Sequence, residues 1–534
     1  MFWCLLFFLA DADLVLTHGR IWTARADQPW AEAVSIEGNT IREVGSSQAI
    51  AKTIGENTKV IDLDGRLALP GFNDAHVHFL GTALRKFEVD LNGARSLEAM
   101  QQRIRDFARA HPDEPWITGG GWEYSYLPGN LPTRQQLDAA VKDRPVWMRS
   151  YDGHTAWANS KALAIAGVTR AFQVSGMGEI VRDAATGEAT GVLKESAMSL
   201  VSKVIPEPSR ARKLAALRQA LREAASLGIT SIQNANGSRD DLSLFEELRS
   251  ELTLRVAMAI SVGSKADLKP AARDPLVHAS AIKIFMDGVI ETHTAAMLDA
   301  YSDLPSSTGK PNYSQQQLND LVAQCDREGW QVMTHAIGDG AVRMTLNAYE
   351  EAFRRNGPHD ARFRIEHIET VAAADIPRFA KLGVLASMMP IHADPETPDV
   401  WSNAIGPDRT SRGFAWKTLE QAGARLVFSS DFPASISLDP IRGIHTAVTR
   451  QTAQGKPLGG WIPQQRVSLE TALRGYTTAA AYASFEDQTK GAIAPGMLAD
   501  IVVLTSNLFT IDPAHIHATR VWMTVFDGRI VHRQ

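Results

Sequence analysis

Cysteine is almost absent from this chain, since Cys4 and Cys325 are the only two among 534 residues. Two thiols cannot build a disulfide scaffold or a cysteine-rich metal site. An excess of charge of one sign is also lacking, because 55 Lys and Arg stand against 60 Asp and Glu and the net charge is −5. This balance argues against a dedicated nucleic-acid binder and against a strongly basic membrane binder.

The N-terminal apolar run, residues 2–9, has only eight residues and is too short to span a bilayer. Residues 1–12 are interpreted as a leader or the remnant of a signal peptide, with Ala10-Asp11-Ala12 as a small-x-small cleavage site. No Lys or Arg precedes the run, which argues against a signal peptide. Localisation therefore stays open between cytoplasm and periplasm.

Both ends of the chain are rich in short β-strand patterns separated by turn residues. The N-terminal patterns predict an antiparallel meander, and Asp527-Gly528 predicts a hairpin near the C-terminus. Neither end alone could cover its apolar strand faces. We therefore predict one small β-sandwich domain built from residues 13–64 and 488–534.

The region between these ends, residues 65–487, alternates helical periodicity with short β-rich runs. Gly228, Gly329, Gly383 and Gly423 each stand between a helix pattern and a strand pattern, as is typical of repeated βα units. Eight parallel strands predict an α/β fold, a closed (β/α)₈ TIM-like barrel. The predicted strands are Leu67–Phe72, Ile229–Gln233, Leu254–Ile260, Ala281–Phe285, Gln331–Thr334, Arg362–Ile365, Val384–Met388 and Arg425–Ser429. The long gap after the first strand predicts an inserted subdomain over about residues 112–205.

Metal-competent side chains recur at the carboxyl ends of these strands. His-x-His places two imidazoles on one side of an extended chain, and neutral imidazole is a common ligand of transition metals. Histidines that only fill a core have no reason to recur at strand ends. The pattern therefore predicts a metal site at the barrel mouth. Its candidates are His76, His78, Lys283, His335, His367 and Asp431.

Several longer motifs contain these residues. They are Leu69-Pro70-Gly71-Phe72 before His76-Val77-His78, Ile282-Lys283-Ile284-Phe285-Met286-Asp287-Gly288, Thr334-His335-Ala336-Ile337-Gly338-Asp339, Arg364-Ile365-Glu366-His367, Ser430-Asp431-Phe432-Pro433 and Pro495-Gly496-Met497-Leu498-Ala499-Asp500-Ile501-Val502. Together they resemble the amidohydrolase superfamily of metal-dependent hydrolases, in the branch that includes N-substituted formamide deformylase. The resemblance extends from Asp13 to the C-terminal region.

This resemblance implies that the six candidates bind Zn²⁺ and that Lys283 is carboxylated. A carbamate could bridge two ions about 3.5–4 Å apart, whereas an ammonium group would be repelled by them. The alternative is an ion pair between Lys283 and Asp287, with a single ion in the site. The sequence leaves both open.

The resemblance also implies hydrolysis of a C–N bond of an amide or an N-substituted formamide. Zn²⁺ would convert bound water to hydroxide, with Asp431 as general base and then general acid. A deaminase-like hydrolase with one metal and an ester or lactone hydrolase remain alternatives. A non-catalytic barrel that serves as an assembly module fits least well, because all six candidates are present.

The substrate is expected to be a small amide-type molecule, with no nucleic-acid partner and no membrane span, and the chain is a candidate for a homodimer or higher oligomer. His154, in Asp152-Gly153-His154-Thr155-Ala156-Trp157-Ala158-Asn159, resembles a family motif and is a candidate for a hydrogen bond to the substrate. A structural role for His154 is the alternative. Further pocket candidates are Trp122, Tyr124, Glu291 and His392, with ordinary packing favoured for the aromatic residues.

Overall fold

The computed structural model describes residues 11–85, 87–151, 153–174, 178–268, 270, 274–395 and 398–534. Most of the predicted leader, residues 1–10, lies outside the described residues. The chain divides into two compact units. The barrel unit comprises the chain up to His78 together with Leu221–Asp431 and Ser437–Gln534, and the insertion unit comprises Phe79–Ala220 and Phe432–Ile436. Among the described helices, none is long and apolar enough to cross a membrane.

Two sheets in the barrel unit are built from the two ends of the chain. The four-stranded sheet has the order Thr40–Gly45, Ala33–Glu37, Leu14–Thr17 and Lys59–Asp62. The six-stranded sheet has the order Arg529–Arg533, Val521–Phe526, Ile501–Leu504, Leu67–Pro70, Arg20–Trp22 and Trp30–Ala31. Apolar side chains from both ends, such as Leu16 and Val503, share one buried cluster.

The antiparallel meander predicted for the N-terminal region is wrong in part. Leu14–Thr17 pairs antiparallel with Ala33–Glu37 but parallel with Lys59–Asp62. Because Lys59–Asp62 is reached only after a helical crossover through residues 47–53, it can return in the parallel direction. The hairpin predicted at Asp527-Gly528 is confirmed, because Val521–Phe526 and Arg529–Arg533 pair antiparallel around it.

Eight parallel strands form the barrel, and neighbouring strands in the sheet follow the order of the chain. These barrel strands, one to eight, are Phe72–Val77, Ile229–Gly237, Arg255–Ser261, Val277–Phe285, Gln331–Ala336, Arg364–His367, Leu385–Met388 and Leu426–Phe428. The backbone N–H of Asp431, just after the eighth strand, donates to the His76 carbonyl in the first strand at 2.7 Å. The predicted α/β barrel fold is therefore confirmed.

The first predicted barrel strand, Leu67–Phe72, is wrong in its position. Residues 67–70 belong to the six-stranded end sheet, and the barrel strand begins at Phe72. Gly71 is the point of transfer, because its N–H donates to the Asp500 carbonyl while a Cβ there would lie 2.1 Å from Thr230 Oγ1. The chain can pass from one sheet into the barrel here only because glycine has no side chain.

Most helices of the barrel unit lie in the chain between successive barrel strands or after the eighth strand. Ser314 caps the helix that begins at Gln315 through the predicted capping box with Gln317, and Gly383 ends another helix in the left-handed conformation. The α-helices that lie wholly in the barrel unit are Ser47–Ile50, Arg239–Glu247, Gln315–Arg327, Asp339–Asn356, Ile376–Leu382, Pro398–Thr410, Trp416–Gln421, Pro440–Thr449, Leu469–Gly475 and Thr478–Ala483. The helix Arg210–Ser226 begins in the insertion unit and leads into the second barrel strand.

The insertion unit contains a six-stranded mixed sheet with a buried apolar cluster that includes Trp122 and another that includes Trp147. Its strands, in sheet order, are Glu179–Arg182, Ala189–Lys194, Thr155–Ala158, Val146–Ser150, Ile117–Trp122 and Val89–Asp90. Its helices are Phe79–Arg85, Leu97–Ala110, Arg134–Asp138, Ser160–Ile165 and Ser199–Ser202. These clusters give the unit an apolar core of its own.

Candidate metal centre

The six predicted metal ligands lie together at the carboxyl end of the barrel strands. The first, fourth, fifth and sixth strands carry His76, Lys283, His335 and His367. His78 directly follows the first strand, and Asp431 stands three residues after the end of the eighth strand. All are buried except His78, whose side chain is 30% exposed. The carboxyl ends of the parallel strands meet at one mouth of the barrel, and the alternation of side chains selects those that share one face. Residues from distant parts of the sequence thus lie in one place.

Asp431 lies at the centre of this cluster. Its Oδ1 is 3.4 Å from His76 Nε2 and 3.3 Å from His78 Nε2, and its Oδ2 is 3.9 Å from His367 Nδ1. Burial alone would raise the pKa of Asp431, but the neighbouring His76 and His78 outweigh it and hold that pKa below its usual range. Asp431 is therefore kept as a carboxylate.

The other ligand candidates continue the cluster on both sides of His76 and His367. Lys283 Nζ lies 2.9 Å from His76 Nε2, and the rings of His335 and His367 are 4.4 Å apart between centroids. Ligand atoms of His76, His367 and Asp431 all lie within 4.8 Å of one another, close enough to hold one ion. The arrangement is thus compact enough to hold a metal ion.

Two of these residues have strained backbones. His367 has φ 74° and Asp431 has φ 56°, in the left-handed region that residues with a Cβ seldom occupy. Such strain costs about 1–3 kcal/mol per residue and persists where the surrounding structure enforces it. The left-handed backbone falls at the last residue of the sixth strand for His367 and three residues after the eighth strand for Asp431.

A buried network of charged residues orients His76. Glu366 Oε2 accepts a hydrogen bond from His76 Nδ1 at 2.6 Å and another from Ser387 Oγ at 2.7 Å. Arg364 holds the same carboxylate through Nε and one terminal nitrogen, at 2.9 and 3.2 Å. With its proton on Nδ1, His76 presents the lone pair of Nε2 towards Asp431 and Lys283. This is the tautomer that a metal ligand requires.

Asp74 connects the first and eighth strands next to the cluster. Its carboxylate accepts hydrogen bonds from the Ser430 backbone N–H at 3.0 Å and from Ser430 Oγ at 2.5 Å. Burial raises the pKa of Asp74 to about 7 despite these donors. The contact sets the position of the turn from which Asp431 projects.

Several buried polar atoms of the cluster have no hydrogen-bond partner within the described ranges. They include both ring nitrogens of His367 and Oδ1 of Asp431. Burying such atoms without partners costs about 1–3 kcal/mol each. A cation would bind the lone pair of one ring nitrogen of His367 together with Oδ1 of Asp431, and imidazole with carboxylate is a donor set that suits Zn²⁺. The residues present therefore fit a metal ion.

Lys283 does not form the ion pair with Asp287 that the sequence left open. The Asp287 carboxylate instead accepts hydrogen bonds from the backbone N–H groups of Ala296, Ile337 and Gly338, at 2.9–3.0 Å. Burial lowers the pKa of Lys283 to about 8. More of this amine is therefore uncharged at neutral pH than of an exposed lysine, which favours its reaction with carbon dioxide.

Of the predicted substrate residues, His392 lies at the cluster. Its Nε2 is 3.5 Å from Asp431 Oδ2, and its ring is stacked on that of His367. Glu291 is close enough for its charge to act on His392 and is partly buried. These two side chains remain candidates for contact with a substrate.

His154 and Trp122 belong to the insertion unit. His154 Nδ1 lies 3.1 Å from Glu195 Oε2, and Tyr124 donates from its hydroxyl group to Thr155 Oγ1. Trp122 is fully buried, and its indole N–H donates to the Met148 carbonyl at 2.9 Å. For Trp122 this geometry favours the packing interpretation over contact with a substrate.

Sequence reasoning gave no role to two residues at the cluster. Glu366 lies inside the motif Arg364-Ile365-Glu366-His367, and an acid two residues after an arginine, on the same side of an extended chain, was the available signal. Phe285 is 38% exposed although it projects from the barrel strand that carries Lys283. Its ring centroid lies 4.8 Å from Lys283 Nζ and 5.5 Å from the His335 ring. The period of two along a strand places Phe285 on the same face as Lys283, but it assigns no role to the ring.

Residues 59–532 of this chain match the amidohydrolase family. Protein LONG AFTER FAR-RED 3 of Arabidopsis thaliana is 32% identical over 515 residues, which cover 93% of this chain and 88% of that protein. N-substituted formamide deformylase of Arthrobacter pascens is 26% identical over 542 residues, covering 97% of each. Among solved structures, an uncharacterised metal-dependent hydrolase from Pyrococcus horikoshii has a TM-score of 0.77 at 26% identity, covering 94% of this chain and 99% of that one.

Proposed function

Because this chain belongs to the amidohydrolase family, we propose that it is a metal-dependent hydrolase of a C–N bond in a small amide or N-substituted formamide. The observation that carries the proposal is the set of buried, unsatisfied atoms on His367 and Asp431 at the barrel mouth. A non-catalytic barrel would have no reason to keep such costly atoms beside four further candidate ligands. The similarity to a formamide deformylase supports the choice of bond.

His76, His78, Lys283, His335, His367 and Asp431 would hold the metal, with two Zn²⁺ ions favoured and Lys283 as a carbamate between them. When bound, such ions acidify water and polarise a carbonyl group. Carboxylation of Lys283 forms a bond between Nζ and the carbon of CO₂ and releases one proton. The burial of this amine beside His76 supports the proposal.

Asp431 would act as the general base and then as the general acid. Its carboxylate takes a proton from the attacking water and returns that proton to the leaving amine. Oδ1 faces His76 and His78, while Oδ2 faces His392. His392 would hydrogen-bond the substrate, with Glu291 and His154 as further candidates and Trp122 the weakest of the four.

The direct test is a substrate screen on protein stripped of metal and then reconstituted with Zn²⁺. We expect hydrolysis of N-formyl or N-acyl amines, detected by release of the primary amine, and little turnover of lactones or simple esters. Turnover of lactones alone would contradict the proposed bond type. Turnover that is equal with and without metal would contradict metal dependence.

Replacing Glu366 by Gln is expected to weaken Zn²⁺ binding about 10–100-fold, the usual effect of removing the partner that orients a ligand histidine. The amide keeps the shape of the side chain but loses the charge that holds Nδ1–H of His76. Competition with a chromophoric chelator measures the affinity, with the exposed Glu470→Gln as matched control. Ser387→Ala, which removes a single donor to Glu366, should give a smaller loss. Unchanged affinity in folded Glu366→Gln protein would refute this role of Glu366.

Replacing Phe285 by Ala is expected to raise KM about 10-fold for substrates with a bulky apolar group, and to leave KM for N-methylformamide nearly unchanged. The exposed ring offers apolar surface beside Lys283 and His335 that such a group could cover. Steady-state kinetics on the two substrates measure the ratio. Leu458→Ala, at a side chain 92% exposed, is the control. Equal changes in KM for both substrates would contradict a contact with the apolar group.

A further inference from the structure

Glu369 is a buried carboxylate that follows the sixth barrel strand and lies behind the metal cluster. Its Oε2 accepts a hydrogen bond from the indole Nε1 of Trp401 at 2.6 Å, and its Oε1 lies 3.6 Å from His392 Nδ1. Within the part of the chain that the structure describes, no lysine or arginine pairs with Glu369. A buried carboxylate without such a partner is costly. Of the basic side chains in that part of the chain, His392 is the one that lies beside Glu369.

Trp401 is held rigidly, so it can hold Glu369 in turn. The indole is 4% exposed and packs against Phe414 and Trp461, with ring centroids 5.3 and 5.5 Å away. A Cβ on Gly413 would lie 2.4 Å from Trp401 Cη2, so the glycine makes room for the ring. The Phe414 N–H donates to the Glu369 carbonyl at 2.9 Å, which fixes the backbone of Glu369 as well.

The far side of His392 faces the reaction site. Its Nε2 lies 3.5 Å from Asp431 Oδ2 and has no hydrogen-bond partner among the described residues. The ring lies nearly parallel to that of His367, at an angle of 13° and a centroid distance of 5.7 Å. A substrate that reaches Asp431 therefore also comes within reach of His392 Nε2.

We propose that Glu369 and Trp401 are positioning residues that fix the orientation of the His392 ring, so that Nε2 hydrogen-bonds the substrate beside Asp431. The inference rests on the proposed hydrolytic function of this site. Trp401 holds the Glu369 carboxylate in position, and Glu369 fixes the orientation of the His392 ring. Of these three side chains, only His392 touches the substrate. Loss of either positioning residue thus lowers turnover through His392 alone.

A set of double-mutant cycles tests this order of action. Trp401→Phe removes the indole N–H but keeps the aromatic packing, and Glu369→Gln removes the charge. We expect His392→Ala to lower kcat about 10²-fold, as for the loss of one positioned donor, and Trp401→Phe or Glu369→Gln about 10-fold. In the His392→Ala background, neither change should lower kcat further, and the content of Zn²⁺ should stay as in the unaltered enzyme.

Trp416→Phe is the matched control. Trp416 is as buried as Trp401 and contacts the same Phe414, but its indole N–H has no partner among the described residues. Its replacement should leave kcat unchanged in both backgrounds. Multiplicative losses in the double variants would overturn the proposal, as would a fully active His392→Ala enzyme.

Failure of the proposed function is a separate result. If the unaltered enzyme hydrolyses no C–N bond in the screen, that function fails, and ¹⁵N NMR of the histidine rings in Zn²⁺-loaded protein decides the positioning role. The His392 signals are assigned by their loss in His392→Ala. Trp401→Phe should shift these signals and Trp416→Phe should not. Unshifted His392 signals in both Trp401→Phe and Glu369→Gln would overturn the proposal.

Discussion

The Asp431→Asn variant is expected to lose about 10⁴-fold in kcat/KM, the upper range for loss of a general acid–base group. The change removes the negative charge that faces His76 and His78 at 3.3–3.4 Å and the only carboxylate of the proposed ligand set. Asn cannot accept a proton from water near neutral pH. Steady-state hydrolysis of the best substrate from the screen measures the loss.

The control for this variant is Asp408→Asn, which changes an exposed carboxylate of the same unit and should remain fully active. Metal analysis on both variants shows whether activity is lost because the general base is missing or because Zn²⁺ is no longer bound. If Asp431→Asn protein hydrolyses substrate at the full rate, Asp431 has no role in proton transfer and the mechanism is wrong.

The Lys283→Ala variant is expected to bind at most one Zn²⁺ per chain and to lose about 10³-fold in kcat, the size of effect seen when one charge-stabilising group is removed. The proposed carbamate supplies two anionic oxygens that alanine lacks, and without it two cations would repel each other. Metal content by mass spectrometry and initial rates measure the two effects.

The dependence of reactivation on bicarbonate tests carboxylation of Lys283 itself. We expect metal-free unaltered protein to regain activity faster with Zn²⁺ when bicarbonate is present, and Lys283→Ala protein to show no such dependence. Lys381→Ala, at an exposed lysine, is the control and should behave as the unaltered protein. Full activity and unchanged metal content in Lys283→Ala would contradict a bridging carbamate.

The sequence was sufficient to predict the barrel because its strands and helices carry local signals. The eight strands match the predicted ones closely except the first, where Gly71 shows no local sign that it separates two sheets. That separation depends on the contact between Gly71 and Thr230, which are far apart in the chain. Pairing directions in the two sheets built from the chain ends, such as the parallel pair formed by Leu14–Thr17, depend on similar long-range contacts.

The candidate metal ligands were predictable because each stands at a strand end, where the barrel geometry is regular. The residues that contact these candidate ligands or their neighbours were not predictable from the sequence. Glu366 and Glu369 read as ordinary acids in the sequence, and their roles arise from contacts with His76 and Trp401, more than 30 residues away in each case. Such partners are found only when the fold brings distant segments together.

The most direct test of the account is a titration of metal-free protein with Zn²⁺, with bound metal and hydrolysis of an N-formyl amine followed in the same samples. We expect no turnover without metal and binding that saturates at two ions per chain. We also expect that turnover rises with occupancy of these sites, and that Asp431→Asn protein loses about 10⁴-fold in kcat/KM. Hydrolysis at the full rate by metal-free protein, or no Zn²⁺ binding by folded protein, would contradict it.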